Sequence, residues 1–104
     1  MRKYTKTLVN YAGANFSKRV GNHSVELWLW LNFTMYLDDA TNEWKRVENP
    51  TRIFKYHDNH ICIVNDNIKQ FWLSHAGWFT SSTTQALNQY REWFSRLGYK
   101  CMTD

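Results

Sequence analysis

The apolar residues change their spacing once along this chain, and that change limits the fold more than any other feature. From Ser24 to Trp30 they alternate. Val25, Leu27 and Leu29 fall on one side of an extended strand, and Glu26, Trp28 and Trp30 fall on the other. Near the C-terminus the period lengthens. Leu87, Tyr90, Phe94 and Leu97 recur at three- and four-residue steps, with Ala86 and Trp93 widening the stripe, as in an amphipathic helix. Strands followed by one terminal helix predict an α+β domain. In it, an antiparallel meander of five or six strands buries one face under a C-terminal helix.

Turn chemistry divides the strands. Phe33 to Leu37 is β-prone, Asp38 to Asn42 suits a turn, and Trp44 to Val47 is its return strand. The clearest hairpin runs from Arg52 to Val64 about a two-residue turn at Asp58-Asn59. That turn would set His57 opposite His60, Tyr56 opposite Ile61 and Phe54 opposite Ile63. Tyr56, Phe54, Ile61 and Ile63 would then form the core face, with Lys55, His57, His60 and Cys62 on the other. Asn65-Asp66-Asn67 predicts a further turn, leading to a strand over 68–73. The helix is expected to open on Ser82-Thr83-Thr84-Gln85, which has the form of a capping box, and to stop at Gly98.

At 104 residues and 43% hydrophobic, the chain fits one folded domain, 1–104, and is too apolar for wholesale disorder. Its net charge of +4 is unevenly spread. Residues 1–19 hold Arg2, Lys3, Lys6, Lys18 and Arg19 and no acid, whereas 20–43 hold only acids. Residues 1–20 therefore read as a basic arm, a short strand or a helix. Two cysteines, Cys62 and Cys101, are too few for the disulfide framework of a small secreted domain. The basic start lacks the apolar run of a signal peptide, and the greasiest stretch, 25–37, is too short to span a bilayer. A cytoplasmic protein without a membrane association is expected.

Candidate chemistry is sparse. His57 and His60 flank a turn, with His75 or Cys62 as a third metal ligand, but no zinc spacing is present and no metal is expected. Cys62 has nothing nearby in sequence to activate it. The densest stretch is Ser74 to Thr84. Ser81, Ser82, Thr83 and Thr84 stand where a helix begins, so free N–H groups there suit an anion, and Trp78 and His75 lie just upstream. The competing reading makes Ser82 a cap and Trp78 core. No Gly-rich phosphate loop and no cofactor motif occurs, so no cofactor is expected. Six Trp, six Tyr and six Phe exceed what one small core absorbs. Trp28 and Trp30, opposite the aliphatic face, are candidates for a partner surface together with Lys18 and Arg19.

The stretch from Tyr56 to Tyr90 also resembles a group of small proteins encoded by bacterial viruses. Their pattern is a β-hairpin followed by Gly-Trp-x-Thr, then a Ser/Thr-Thr pair and a Leu-Asn pair. Here those positions are Gly77, Trp78, Thr80, Thr83, Thr84, Leu87 and Asn88. Relatives carry Lys or Arg after the paired Thr, where this chain has Gln85. The likeness covers about a third of the chain and implies a phage-type accessory role. Together with the missing catalytic constellation, it implies a non-enzymatic binding protein that inhibits a host or defence protein or nucleoprotein, in the manner of an anti-CRISPR. Two other classes are kept open. One is a direct nucleic-acid binder using the basic arm and exposed aromatics. The other is a small metal-dependent enzyme using His57, His60 and His75.

Overall fold

The computed structural model describes residues 18–27 and 32–103. They form β1 (Lys18–Val20), β2 (His23–Leu27), β3 (Phe33–Leu37), β4 (Trp44–Glu48), β5 (Arg52–Tyr56), β6 (Asn59–Asn65), β7 (Gln70–Leu73), α1 (Ser81–Arg96) and β8 (Lys100–Cys101). The α+β class and the single C-terminal helix are as expected. The uninterrupted meander is not. One sheet runs in the order β1-β2-β5-β6-β7-β8, while β3 and β4 form a separate two-stranded sheet. All neighbours in the main sheet are antiparallel except β7 and β8, which are parallel.

The reason lies in β5 and β6, which carry apolar residues on both faces. Ile53 and Ile63 are register partners and are fully buried on the face away from the helix. A sheet with two apolar faces needs two covers. The β3–β4 hairpin supplies the second, packing Tyr36 and Val47 on Ile53 and Ile63, with half-buried Trp72 beside them. Its connecting turn uses the expected acid. The Asp38 carboxylate accepts from the Thr41 N–H at 3.0 Å and from its hydroxyl at 2.8 Å. Those bonds, led by the Thr41 hydroxyl, hold the Asp38 carboxyl below its usual pKa.

The central hairpin turns one residue earlier than the sequence suggests. His57 and Asp58, not Asp58 and Asn59, take the two left-handed positions, with φ of 50° and 65°. Tyr56 therefore faces Asn59 and Lys55 faces His60. A bulge then restores the ladder: Phe54 pairs with Cys62, and Ile61 is the extra residue. Shifting a strand by one position reverses its faces. Phe54, Cys62 and Val64 thus join the helix side, while Ile53 and Ile63 lie on the other. The expected grouping of Phe54 with Ile63 is corrected accordingly. β7 also starts later than expected, at Gln70, because the Asn65 side chain accepts from the N–H of Asn67 (3.0 Å) and Ile68 (3.3 Å) and keeps those residues in the turn.

On the helix side, Ala86, Leu87, Tyr90 and Phe94 pack onto Phe54, Val64, Phe71 and Leu73. Rings meet at tilted or edge-on angles: Phe54–Tyr90 at 4.7 Å, Phe71–Phe94 at 5.5 Å and Phe54–Phe94 at 5.9 Å. Each such side chain contributes about 1.5–3 kcal/mol when fully buried. The helix ends as predicted. Gly98 adopts φ 90°, its N–H donates to Ser95 O (3.1 Å), and the Tyr99 N–H donates to Phe94 O (2.9 Å). These are the paired bonds of a Schellman stop, and the Phe94–Tyr99 ring contact at 5.3 Å completes it.

One polar clamp ties the C-terminal end to the sheet. Arg52 donates to both Asp66 oxygens (2.9 and 2.7 Å), and Tyr99 and Thr51 donate to them as well. Burial pushes the Asp66 carboxyl up, but the bonds from Arg52, Thr51 and Tyr99 outweigh it, and its pKa lies below the ordinary value.

Candidate functional site

Between Leu73 and α1 the chain makes one tight, strained loop. Ser74 anchors it: its N–H donates to Ile61 O (2.9 Å), and its hydroxyl donates to Leu37 O and accepts from the Ala76 N–H (2.9 Å). Ala76 and Gly77 both take positive φ, 53° and 84°, and the Trp78 N–H closes the turn on His75 O at 2.8 Å. Glycine bears that conformation freely, whereas an alanine there costs about 1 kcal/mol. The geometry throws Trp78 and Phe79 outward, 61% and 67% exposed. Thr80 then caps the helix, its hydroxyl accepting from the Thr83 N–H at 3.2 Å. The cap is Thr80, not Ser82. Two hydroxyl residues, Ser81 and Ser82, are thereby drawn into the first turn.

This loop forms one wall of a pocket of about 500 Å³. His75, Trp78 and Thr80 come from the loop, Ser82 and Thr83 from α1, and Ile61 from the bulge. The opposite wall is the tip of the central hairpin, Tyr56, His57 and Asn59. Tyr56 is held flat there, stacked on His23 at 4.4 Å and against His57 at 4.3 Å. Among the described residues, no Lys or Arg lines the pocket.

A polar relay runs beside it. The Asp39 carboxylate accepts from the His75 N–H (2.9 and 3.2 Å) and lies 2.7 Å from His75 Nδ1. On the other side, His75 Nε2 is 3.0 Å from Thr84 Oγ1. The imidazole also stacks on Phe79 at 4.5 Å, with the planes 17° apart. A carboxylate only accepts, so Nδ1 carries a proton toward Asp39, and in the neutral ring Nε2 accepts from the Thr84 hydroxyl.

Of the residues singled out in the sequence, His75, Trp78, Ser82 and Thr83 meet at the pocket. Ser81 and Thr84 are exposed on the first turn of the helix. Trp78 is a rim residue, not core. Trp28 and Trp30 lie outside the described residues. Lys18 and Arg19 are placed as backbone of the edge strand β1.

The three histidines of the metal reading separate. His57 and His75 line the pocket, whereas His60 faces a second hollow, where its Nδ1 is 3.5 Å from Thr34 Oγ1. Burial, aided by the Lys55 charge, lowers the His60 pKa. Among the described residues, no three His, Cys, Asp or Glu side chains gather as a metal site. Cys62 is fully buried, and burial raises its thiol pKa well above the ordinary value, which removes it as a nucleophile. Among the described residues, no helix is long and apolar enough to cross a membrane.

Asp39 and Tyr56 were not anticipated as site residues. Asp39 lies 36 positions from His75 and looks like any turn aspartate. Tyr56 precedes the turn and lines the pocket beside His57 and Asn59. No family model matches the chain, and no curated protein or solved structure matches it.

Proposed function

We propose that this chain is a small binding protein of phage type that occludes a host or defence protein or nucleoprotein. The observation that carries the reading is the pair of outward-facing rings, Trp78, which lines an aromatic-walled pocket, and Phe79 next to it in the chain. Large aromatic side chains exposed beside a concavity are the composition of an interaction anchor. The strained Ala76-Gly77 turn supports the same reading, since strain is retained where it aims a side chain. Among the described residues the pocket lining carries no Lys or Arg, which favours a protein surface over a phosphate backbone as its occupant.

Coexpression with a bacterial defence nuclease tests the proposal. Plaque formation by a sensitive phage is expected to rise with the wild-type chain and to fall back with a folded Trp78→Ala/Phe79→Ala variant. Plaque counts that ignore both chains across a panel of nuclease systems would sink it. Tight binding to bare DNA, with a steep salt slope and no dependence on Trp78, would point instead to direct nucleic-acid recognition.

A further inference from the structure

We propose that Asp39, His75 and Thr84 form a working acyl-transfer relay, with Thr84 as nucleophile, acting on esters whose apolar or aromatic part enters the neighbouring pocket. The inference differs from the occlusion reading in the observation that carries it, the polar relay, although Phe79 and Trp78 border both.

Three observations carry it. First, both bonds of the relay have the reach that nucleophilic catalysis requires, 2.7 Å from carboxylate to Nδ1 and 3.0 Å from Nε2 to Oγ1. Second, the orientation is fixed. Asp39 holds His75 through both its backbone N–H and its ring, and Phe79 covers one ring face. That leaves Nε2 as the acceptor for the Thr84 hydroxyl. Third, Thr84 is solvent-exposed, and the histidine that reaches it lines the pocket. The pocket meets the relay at His75, so an ester seated against Tyr56, Ile61 and Trp78 approaches the relay from that side.

The step balances without any cofactor. Thr84 Oγ attacks the ester carbonyl carbon as its proton passes to His75 Nε2. The tetrahedral adduct collapses, the bond to the leaving alcohol oxygen breaks, and His75 returns the proton to that oxygen. Water, deprotonated by His75, then attacks the acyl-threonine, releasing the carboxylic acid and restoring the Thr84 hydroxyl. Thr84 and His75 are the catalytic residues, and Asp39 is a positioning residue.

The test is incubation of the full chain with p-nitrophenyl acetate and p-nitrophenyl butyrate, read by nitrophenolate release and by peptide mass spectrometry. An acyl group on Thr84 is expected in the wild type. Thr84→Ser should retain turnover, while Thr84→Val and His75→Gln should lose about 100-fold or more. Asp39→Asn should lower kcat with KM little changed and shift the pH–rate profile, a signature that a purely structural latch would not give. Circular dichroism identifies the variants that fold. A folded wild type that releases nitrophenolate no faster than Thr84→Val, or that carries the acyl group on His75 and not on Thr84, would overturn the proposal.

Discussion

The two faces of the β5–β6 hairpin are closed by different means. On one, a 16-residue helix lays Tyr90 and Phe94 across Phe54 and Phe71, ring on ring. On the other, a two-stranded hairpin presses Tyr36 and Val47 onto Ile53 and Ile63. The first cover is made within one contiguous element. The second belongs to a hairpin inserted between β2 and β5, and among the described residues it has no strand of the main sheet as a backbone-paired neighbour. A fold can therefore bury both sides of a sheet with one cover written locally and the other written only in long-range contacts.

The sharpest way to break this comparison is to hollow out each side in turn. Phe94→Ala is expected to lower the unfolding free energy by about 3–5 kcal/mol. Val47→Ala should cost about 2 kcal/mol, two methyl groups' worth of burial and some cavity. Urea denaturation of the two variants measures both. Equal losses would mean that the inserted hairpin matters to the core as much as the helix does.

The difference also explains what could be read in advance. The stripe of Leu87, Tyr90 and Phe94 specifies its own partner face, because its period of 3.6 leaves one burial solution. Gly98 marks the stop for the same local reason. The cover made by β3 and β4 has no such mark. Phe33 to Leu37 and Trp44 to Val47 read as a hairpin, but nothing in them says that the pair leaves the sheet. A turn at Asp58-Asn59 lies one residue late, because His57 takes a left-handed φ in place of Asn59, the commoner occupant of that conformation. The bulge at Ile61, which no turn residue announces, then sets Phe54 opposite Cys62 and on the other side from Ile63. At the site, the cluster around Ser82 and Thr83 was visible as a run of hydroxyls. Its carboxylate was not, since Asp39 reaches His75 only after the second cover is in place.

A smaller effect sharpens the contrast at the polar clamp, which belongs to the helix side alone. Asp66→Asn should cost about 2 kcal/mol, less than a fully buried pair because the Asp66 side chain is 31% exposed. A carboxyl whose folded pKa is depressed stabilises the fold above its unfolded pKa of about 3.9, and that contribution is lost as pH falls toward the folded value. Thermal unfolding of the wild type should therefore decline below about pH 4, and Asp66→Asn should decline less steeply there. Parallel curves would remove Asp66 from the acid response.

The smallest expected difference lies at the helix start. Thr80→Ala should cost about 1 kcal/mol through loss of the cap, and Ser82→Ala should stay within about 0.5 kcal/mol. The reverse order would move the cap to Ser82 and shorten the loop that carries Trp78.

The extra residue in β6 has a consequence beyond geometry. Below it, Phe54–Cys62, Ile53–Ile63 and Arg52–Val64 fix the base of the hairpin in the core; above it, Lys55–His60 and Tyr56–Asn59 carry the tip. Because Ile61 absorbs the phase difference between these two halves, residues 57–59 can vary without re-phasing the strands beneath them. The pocket wall at the tip is thus uncoupled from the strands that hold the molecule together, and side chains can be exchanged there while the interior stays the same.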